Sequence, residues 1–177
     1  EMNLILTVAT KSYEPIFSVT RPSHETYAKR CNAGYRILCD KALAAVPFKF
    51  GKPCYIAKPH YVGKFLDRYA KILYVDSDCY ISKRTPDMFR MHERGKVGIV
   101  RHVCGVAGSP VAPDCEFNSG VYIVGRERKE LFSWKVIYEN AECFRTKDAD
   151  QLLLCRMIQK HDCAQEYRDA GSAEMGR

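Results

Sequence analysis

Two aspartates at the end of an apolar run are the residues of this sequence that are best suited to chemistry. Asp76 and Asp78 follow Ile72–Val75, a run that favours a buried strand. Side chains two residues apart point to the same side of an extended backbone, so both carboxylates could face one ion. Paired carboxylate oxygens suit magnesium, manganese or calcium better than zinc or copper. The spacing therefore predicts a divalent-cation site where this strand ends.

Two further segments place polar side chains at the starts of predicted elements. Phe117–Val121 (FNSGV) sets an amide, a hydroxyl and a glycine before a strand, and Asp148–Leu153 (DADQLL) opens an amphipathic helix. Each has an ordinary structural explanation. The first is typical of a turn, and acidic residues near a helix N-terminus cap it and favour its dipole. Taken singly, these explanations are the better ones, so a functional interpretation depends on the segments acting together.

The elements that would position these segments alternate along the chain. Strands are predicted at 3–9, 35–39, 72–75, 97–103 and 120–124, and helices at 22–33, 59–69, 127–139 and 148–159. Strand, helix and strand imply a parallel pair with a right-handed crossover, and hence a three-layer α/β fold. Ligands of such sheets bind beyond the carboxyl ends of the strands, where the aspartates lie. The Gly- and Pro-rich segment 104–115 is predicted to be a mobile loop.

Composition limits the class of protein. A chain of 177 residues suits one domain over residues 1–177, and 46% hydrophobic with 28% charged residues is typical of a globular protein. No run reaches the roughly 18 consecutive apolar residues of a membrane span. The net charge of +7 comes from scattered basic residues without an arginine-rich run, so no nucleic-acid partner is predicted.

Four motifs, in the same order, resemble those of nucleotide-sugar glycosyltransferases of the GT-A fold, most closely the retaining families 8 and 34. They are Tyr74–Asp78 (YVDSD), Asp87–Phe89 (DMF), Phe117–Val121 (FNSGV) and Asp150–Leu154 (DQLLL). Order and approximate spacing match from about residue 3 to residue 158, and the chain also resembles a chlorella-virus glycosyltransferase domain. An isolated aspartate pair is common in proteins, whereas four ordered matches are specific.

The resemblance implies a GT-A (Rossmann-like) three-layer sandwich with a mainly parallel central sheet. It implies a metal-dependent enzyme that moves a sugar from a UDP-sugar to a glycan or glycoprotein acceptor, with retention at the anomeric carbon. The cofactor would be Mn²⁺ or Mg²⁺, which neutralises the leaving diphosphate as a Lewis acid. Asp78 would ligate this metal directly, while Asp76 shares the metal or holds the ribose.

The resemblance also assigns roles to residues outside the aspartate pair. Tyr13 would stack on the base, and Lys64 would contact phosphate or sugar. The two implied catalytic residues are Asp150, which would bind hydroxyls of the sugar, and Gln151, which would lie near the anomeric carbon. The implied nucleotide-sugar-binding residues are Thr7, Ala9, Thr10, Tyr13, Lys64, Asp76, Ser77, Asn118 and Ser119.

One departure from these families leaves a second hypothesis open. They supply a third metal ligand, a late histidine in a segment with glycine, lysine and tryptophan, but His161 lacks those surroundings and Trp134 lies too early. The ligand is then missing, replaced, or beyond the end of a truncated chain. The alternative is a non-catalytic sugar-nucleotide or glycan-binding module of the same fold. A phosphatase with an aspartate nucleophile is disfavoured, because Tyr80 stands where that class has threonine or valine.

Cysteine usage and the N-terminus bear on location. The nine cysteines contain no CxxC pair, which favours reduced thiols over disulfides. The apolar stretch Leu4–Ala9 is too short for a signal peptide. A cytoplasmic protein is predicted, in the host cytoplasm if it is viral, with the Golgi lumen as the alternative if an N-terminal anchor was removed. The chain could be a fragment of a longer protein.

Overall fold

The computed structural model describes residues 2–46, 52–101, 117–145 and 149–167, which form a mixed sheet between helices. The strands are β1 Leu4–Val8, β2 Gly34–Leu38, β3 Lys71–Val75, β4 Val97–Arg101, β5 Phe117–Gly125 and β6 Ala164–Tyr167. Their order across the sheet is β2-β1-β3-β5-β4-β6. Only β5 runs antiparallel to its neighbours among the described strands, while the pairs β1–β2, β1–β3 and β4–β6 are parallel. The predicted mainly parallel sheet is confirmed.

Helices cover both faces of this sheet. They are α1 Glu14–Arg30, α2 Asp40–Ala44, α3 Pro53–Phe65, α4 Met88–Met91, α5 Trp134–Glu139 and α6 Ala149–His161, with 3₁₀ turns at Lys11–Tyr13, Arg126–Phe132 and Ala141–Arg145. Successive side chains of β1 point to opposite layers. Leu4 and Leu6 pack in the core beneath α3 and α6, whereas Ile5 packs with Tyr27 of α1 and Phe89 of α4. The predicted three-layer arrangement is therefore confirmed.

The first helix begins eight residues earlier than predicted. The prediction began this helix at Pro22, a residue type that is tolerated in a first helical turn and costs about 3 kcal/mol in a helix interior. In the structure Pro22 lies inside α1, and Pro15 occupies the first turn. Phe17 and Tyr27 are buried on either side of Pro22, so packing against the sheet compensates for the hydrogen bond that Pro22 cannot make.

The helix before β3 also starts earlier than predicted and contains a proline in its interior. The prediction began it at Pro59, but α3 starts at Pro53 and contains Pro59 in its interior. Ile56 and Val62 are buried on either side of Pro59 and belong to the same core. The earlier start matters for function, because it brings Lys58 into the helix.

Other predicted bounds differ in smaller ways. The helix expected at 127–139 is divided, because Ser133 caps α5 by accepting a hydrogen bond from Val136 N at 3.4 Å. The short helices α2 and α4 and the strand β6 were not predicted. The loop expected at 104–115 and the two final residues of the strand expected at 97–103 lie outside the described residues.

The cysteines depart in one place from the prediction of reduced thiols. Cys155 is disulfide-bonded, whereas the other described cysteines form no disulfide, at positions 31, 39, 54, 79, 143 and 163. Among the described helices, none is long and apolar enough to cross a membrane.

Candidate active site

The aspartate pair lies in a turn and not on the strand itself. β3 ends at Val75, and Cys79 N donates a hydrogen bond to Asp76 O at 3.1 Å, which closes a turn over residues 76–79. The argument from strand periodicity is therefore wrong, because extended geometry stops before Asp76. Asp76 is half-buried and Asp78 is exposed. The two carboxylates thus have different surroundings, one inside the protein and one facing solvent.

A buried lysine joins Asp76 to Asp150. Lys58 Nζ on α3 lies 2.8 Å from Asp76 Oδ1 and 2.9 Å from Asp150 Oδ2. Tyr74 OH donates to the same Asp76 oxygen at 2.7 Å, and its ring lies 5.3 Å from the lysine ammonium. Lys58 and Asp150 are both buried, at 8% and 7% exposure. One cation therefore connects α3, the end of β3 and the start of α6.

The charges of this cluster support one another. Burial alone would lower the pKa of Lys58, but the carboxylates of Asp150 and Asp76 outweigh it and hold that pKa above its usual value. Burial raises the pKa of Asp76, against the opposing effect of Lys58 and Tyr74. Burial, and then the neighbouring Asp76 carboxylate, raise the pKa of Tyr74 well above its usual value. Lys58 is thus a charged ammonium, and Tyr74 a neutral hydrogen-bond donor.

Strand β5 brings the second polar segment to the same place. Ser119 Oγ donates to Asp150 Oδ2 at 2.8 Å, and Ser119 N lies 3.5 Å from Gln151 Oε1. Asp76 N donates to Gly120 O at 2.7 Å. The three segments that the sequence analysis singled out therefore meet at one edge of the sheet.

Gly120 sits where a side chain would collide with this cluster. A Cβ atom at this position would lie 2.8 Å from Asn118 Oδ1 and 2.9 Å from Asp76 Oδ2. Neither oxygen is free to move, because Asn118 Oδ1 accepts from Gly120 N at 2.6 Å and Asp76 is held by Lys58. The glycine therefore allows β5 to approach the aspartate closely.

The residues expected at the end of β1 occupy varied positions. Thr7 is fully buried, with its hydroxyl 3.3 Å from His24 Nδ1, and Ala9 is buried with its N–H donating to Leu38 O. Thr10 Oγ1 lies 2.9 Å from Ser12 Oγ, and Tyr13 is 49% exposed. An exposed aromatic ring can stack on a base, whereas the hydroxyl of Thr7 is already used inside the protein. Their roles toward a nucleotide stay predictions.

Lys58 is the functional residue that sequence reasoning missed. Lys64, the lysine chosen instead, is exposed with its ammonium 5.7 Å from the ring of Tyr61. A signal was present, since Lys58 is the single charged residue between Pro53 and His60. Pro59 obscured it, because a helix predicted to start there leaves Lys58 in the preceding loop.

The residues at this edge fit a divalent cation in part. In the described ranges no three His, Cys, Asp or Glu side chains come together as a metal site. Asp78 offers an exposed carboxylate, and Asp76 keeps Oδ2 beside its engaged Oδ1. Magnesium-type sites commonly use one or two carboxylates and complete the shell with water and substrate phosphates. The aspartate pair fits such a site.

Comparison with known proteins places the fold of this chain in a structural class. No protein-family model and no curated protein sequence matches the chain. A glycosyltransferase involved in glycosylation of the major capsid of PBCV-1 matches with a TM-score of 0.67 and 12% identity, covering 95% of this chain and 83% of that one. GlyE of Streptococcus pneumoniae TIGR4 matches with a TM-score of 0.62 and 17% identity, over 93% of this chain and 45% of its own.

A third match carries ligands at its own site. The galactosyltransferase LgtC, in complex with donor and acceptor sugar analogs, has a TM-score of 0.61 and 15% identity, over 92% of this chain and 72% of its own. Identities this low establish the fold alone. With its parallel strands, its terminal aspartates and these structural relatives, the chain has the GT-A fold of nucleotide-sugar glycosyltransferases.

Proposed function

We propose that this protein is a glycosyltransferase that moves a sugar from a UDP-sugar to a glycan or glycoprotein acceptor, with a divalent metal at Asp76 and Asp78. The observation that carries the proposal is the Lys58 bridge, which holds the aspartate turn against Asp150 at the edge of the sheet. LgtC, with its donor and acceptor analogs, supports the class of reaction. Retention at the anomeric carbon rests on the resemblance to families 8 and 34.

The residues of this site have separate roles in the proposed reaction. Lys58 neutralises the carboxylates of Asp76 and Asp150, so that two acids can remain close without repulsion. Ser119 orients Asp150 through its hydroxyl, and Asp150 would bind hydroxyls of the sugar. Asp78, exposed beside them, and Asp76 Oδ2 would hold Mn²⁺ or Mg²⁺. The bound metal would supply charge neutralisation for the leaving diphosphate.

A second candidate is a non-catalytic module that binds a sugar nucleotide or a glycan. It is favoured by the absence, in the described ranges, of a third side chain completing a metal site with Asp76 and Asp78. The two candidates differ in turnover, because only the enzyme releases UDP from a UDP-sugar.

A thermal-shift panel of UDP-, GDP- and dTDP-sugars, each with and without manganese, tests the proposal. A ligand that binds only the folded protein raises its stability, by about 2.7 kcal/mol at 100 times its Kd. We expect UDP-sugars to raise the Tm only with manganese present. In a separate turnover assay, we expect UDP to be released when an acceptor glycan is added. Stabilisation without UDP release favours the binding module. No stabilisation by any sugar nucleotide contradicts the enzyme and a module that binds sugar nucleotides, and leaves only a module that binds a glycan.

Replacing Gln151 with alanine should lower turnover more than binding of the UDP-sugar. An amide near the anomeric carbon acts on charge that develops in the transition state, and losing such a group costs about 100-fold in kcat. Initial rates give kcat, and calorimetry gives the affinity. Gln159→Ala, at an exposed position of the same helix, is the control. Loss of UDP-sugar affinity in Gln151→Ala would instead make Gln151 a binding residue.

Replacing Gly120 with alanine should disturb the site while leaving the fold in place. The added methyl group must displace either Asn118 or Asp76, and overpacking of this kind costs about 1–3 kcal/mol. We expect manganese-dependent UDP binding to weaken about tenfold, the range seen when groups that orient metal ligands are changed. Gly34→Ala is the matched control, since its methyl group meets its nearest neighbour at 3.5 Å. Equal UDP affinities in the two variants would count against Asp76 as a ligand.

A further inference from the structure

Helix α1 holds the segment that follows β3 through a row of polar contacts. Each contact joins a side chain of α1 to a backbone group of the segment. Nearest the aspartates, the pairs are Thr20 Oγ1 to Ser77 O at 2.6 Å, His24 Nε2 to Cys79 O at 2.7 Å, and Ile81 N to Ser23 Oγ at 3.0 Å. The segment has no regular structure here, so these contacts replace the hydrogen bonds that a strand or helix would provide.

The row continues along the helix away from the aspartates. Tyr27 OH donates to Pro86 O at 2.7 Å and accepts from Met88 N at 2.9 Å. Two classes of contact therefore lie on one helix, near contacts from Thr20, Ser23 and His24 and a far contact from Tyr27. The distinction allows an effect on the site to be separated from an effect on the helix as a whole.

The near contacts hold the peptide groups around Asp78. Each peptide group is planar, so the direction of the Cα–Cβ bond is set once the planes on both sides of the Cα are fixed. Thr20 holds the plane before Asp78 through Ser77 O, and the bond from Cys79 N to Asp76 O holds the plane after it. His24 holds the next plane through Cys79 O. Thr20 and the hydrogen bond of the turn itself thus fix the direction in which the Asp78 side chain leaves the backbone, and His24 anchors the peptide group that follows.

The surroundings of His24 allow one tautomer of its imidazole and one set of hydrogen bonds. Its ring is fully buried, and burial lowers its pKa, so it is neutral. Because a carbonyl can only accept, Nε2 carries the proton and donates to Cys79 O. Nδ1 is then the acceptor, with the hydroxyls of Thr7 and Tyr35 each 3.3 Å away. The imidazole links β1 and β2 to the turn that carries the aspartates.

We propose that α1 positions Asp78 for binding of the sugar nucleotide, with Thr20 and His24 as the positioning residues. The inference rests on the proposed function, because it concerns the same aspartate. It adds two residues that neither touch the substrate nor contact a carboxylate of the site. Asp78 itself is exposed. Without the contacts from α1, the turn and this side chain would sample many directions, and ordering them on binding would cost affinity.

Two variants of His24 separate its contacts. The amide nitrogen of glutamine can reach the place of Nε2, whereas asparagine reaches only the place of Nδ1. We expect His24→Asn to weaken binding of UDP with Mn²⁺ about tenfold by calorimetry, and His24→Gln to restore most of the affinity. Thr20→Val, which loses the bond to Ser77 O and keeps the shape of the side chain, should weaken binding in the same direction and serves if His24→Asn fails to fold.

Tyr27→Phe is the control on the same helix. It removes the far contact, so it should lower the Tm and leave UDP affinity near that of the wild type. Equal losses of affinity in Tyr27→Phe and His24→Asn would mean that α1 acts through stability alone, and would overturn the inference. So would His24→Gln binding as weakly as His24→Asn. If the wild type itself binds no UDP with Mn²⁺, the proposed function fails and the inference with it. If the wild type and His24→Asn bind equally well, only the inference fails.

Discussion

Replacing Lys58 with methionine should destabilise the protein strongly and abolish binding of the sugar nucleotide. The change removes the ammonium group from between Asp76 and Asp150 and leaves a buried carboxylate without its cation. Breaking a buried ion pair in this way costs about 3–5 kcal/mol. Urea unfolding at pH 7 measures the loss of stability, and calorimetry with UDP and Mn²⁺ measures the loss of affinity.

The loss of stability in Lys58→Met should depend on pH. Burial already raises the pKa of Asp76, and without the ammonium of Lys58, which opposes that effect, this pKa rises further above the unfolded value, so the folded variant binds more protons than the unfolded chain. The stability of the variant should therefore improve relative to the wild type as the pH falls from 7 towards 5. A difference that stays constant over this range would show that lost packing, and not lost charge, is the cause.

Lys64→Met provides the comparison on the same helix. Lys64 is exposed, so its replacement should change the free energy of unfolding by less than about 0.5 kcal/mol. The activity of the same variant tests the contact with phosphate or sugar predicted for Lys64. If Lys64→Met loses activity and Lys58→Met keeps it, the site has been assigned to the wrong lysine.

Replacing Asp78 with alanine should abolish manganese-dependent release of UDP while the fold stays intact. Asp78 is exposed, so its replacement should change stability by no more than about 0.5 kcal/mol. A direct metal ligand stabilises the departing diphosphate by several kcal/mol, and its removal should lower turnover at least about 100-fold. Assays of UDP release over a range of Mn²⁺ concentrations, together with thermal unfolding, measure both effects.

Asp67→Ala is the control for the loss of an exposed aspartate. Asp67 pairs with Lys129 on the surface, and its replacement should leave manganese-dependent turnover unchanged. Near wild-type turnover in Asp78→Ala would mean that the metal assignment is wrong, whereas a loss of turnover in both variants would point to surface charge.

The differences between the predicted and observed helices have one physical origin. The helices predicted at 22–33 and 59–69 each begin at a proline, a residue type that costs about 3 kcal/mol in a helix interior. In the structure both prolines lie inside helices whose buried side chains pack against the sheet. The packing of these side chains against distant parts of the chain stabilises the helices by more than an interior proline costs. A local sequence pattern does not show which distant residues will pack there.

The sequence by itself determined the α/β class, the position of most strands and the three segments that meet at the site. Those features depend on local patterns, since alternating or continuous apolar runs specify strands and the order of the motifs identifies the fold. Only the tertiary structure decided that Asp76 and Asp78 lie in a turn, that Lys58 bridges Asp76 and Asp150, and that His24 supports the turn from α1. These contacts join residues far apart in sequence, and a buried charge or imidazole is paired only once the elements that carry its partners have packed together.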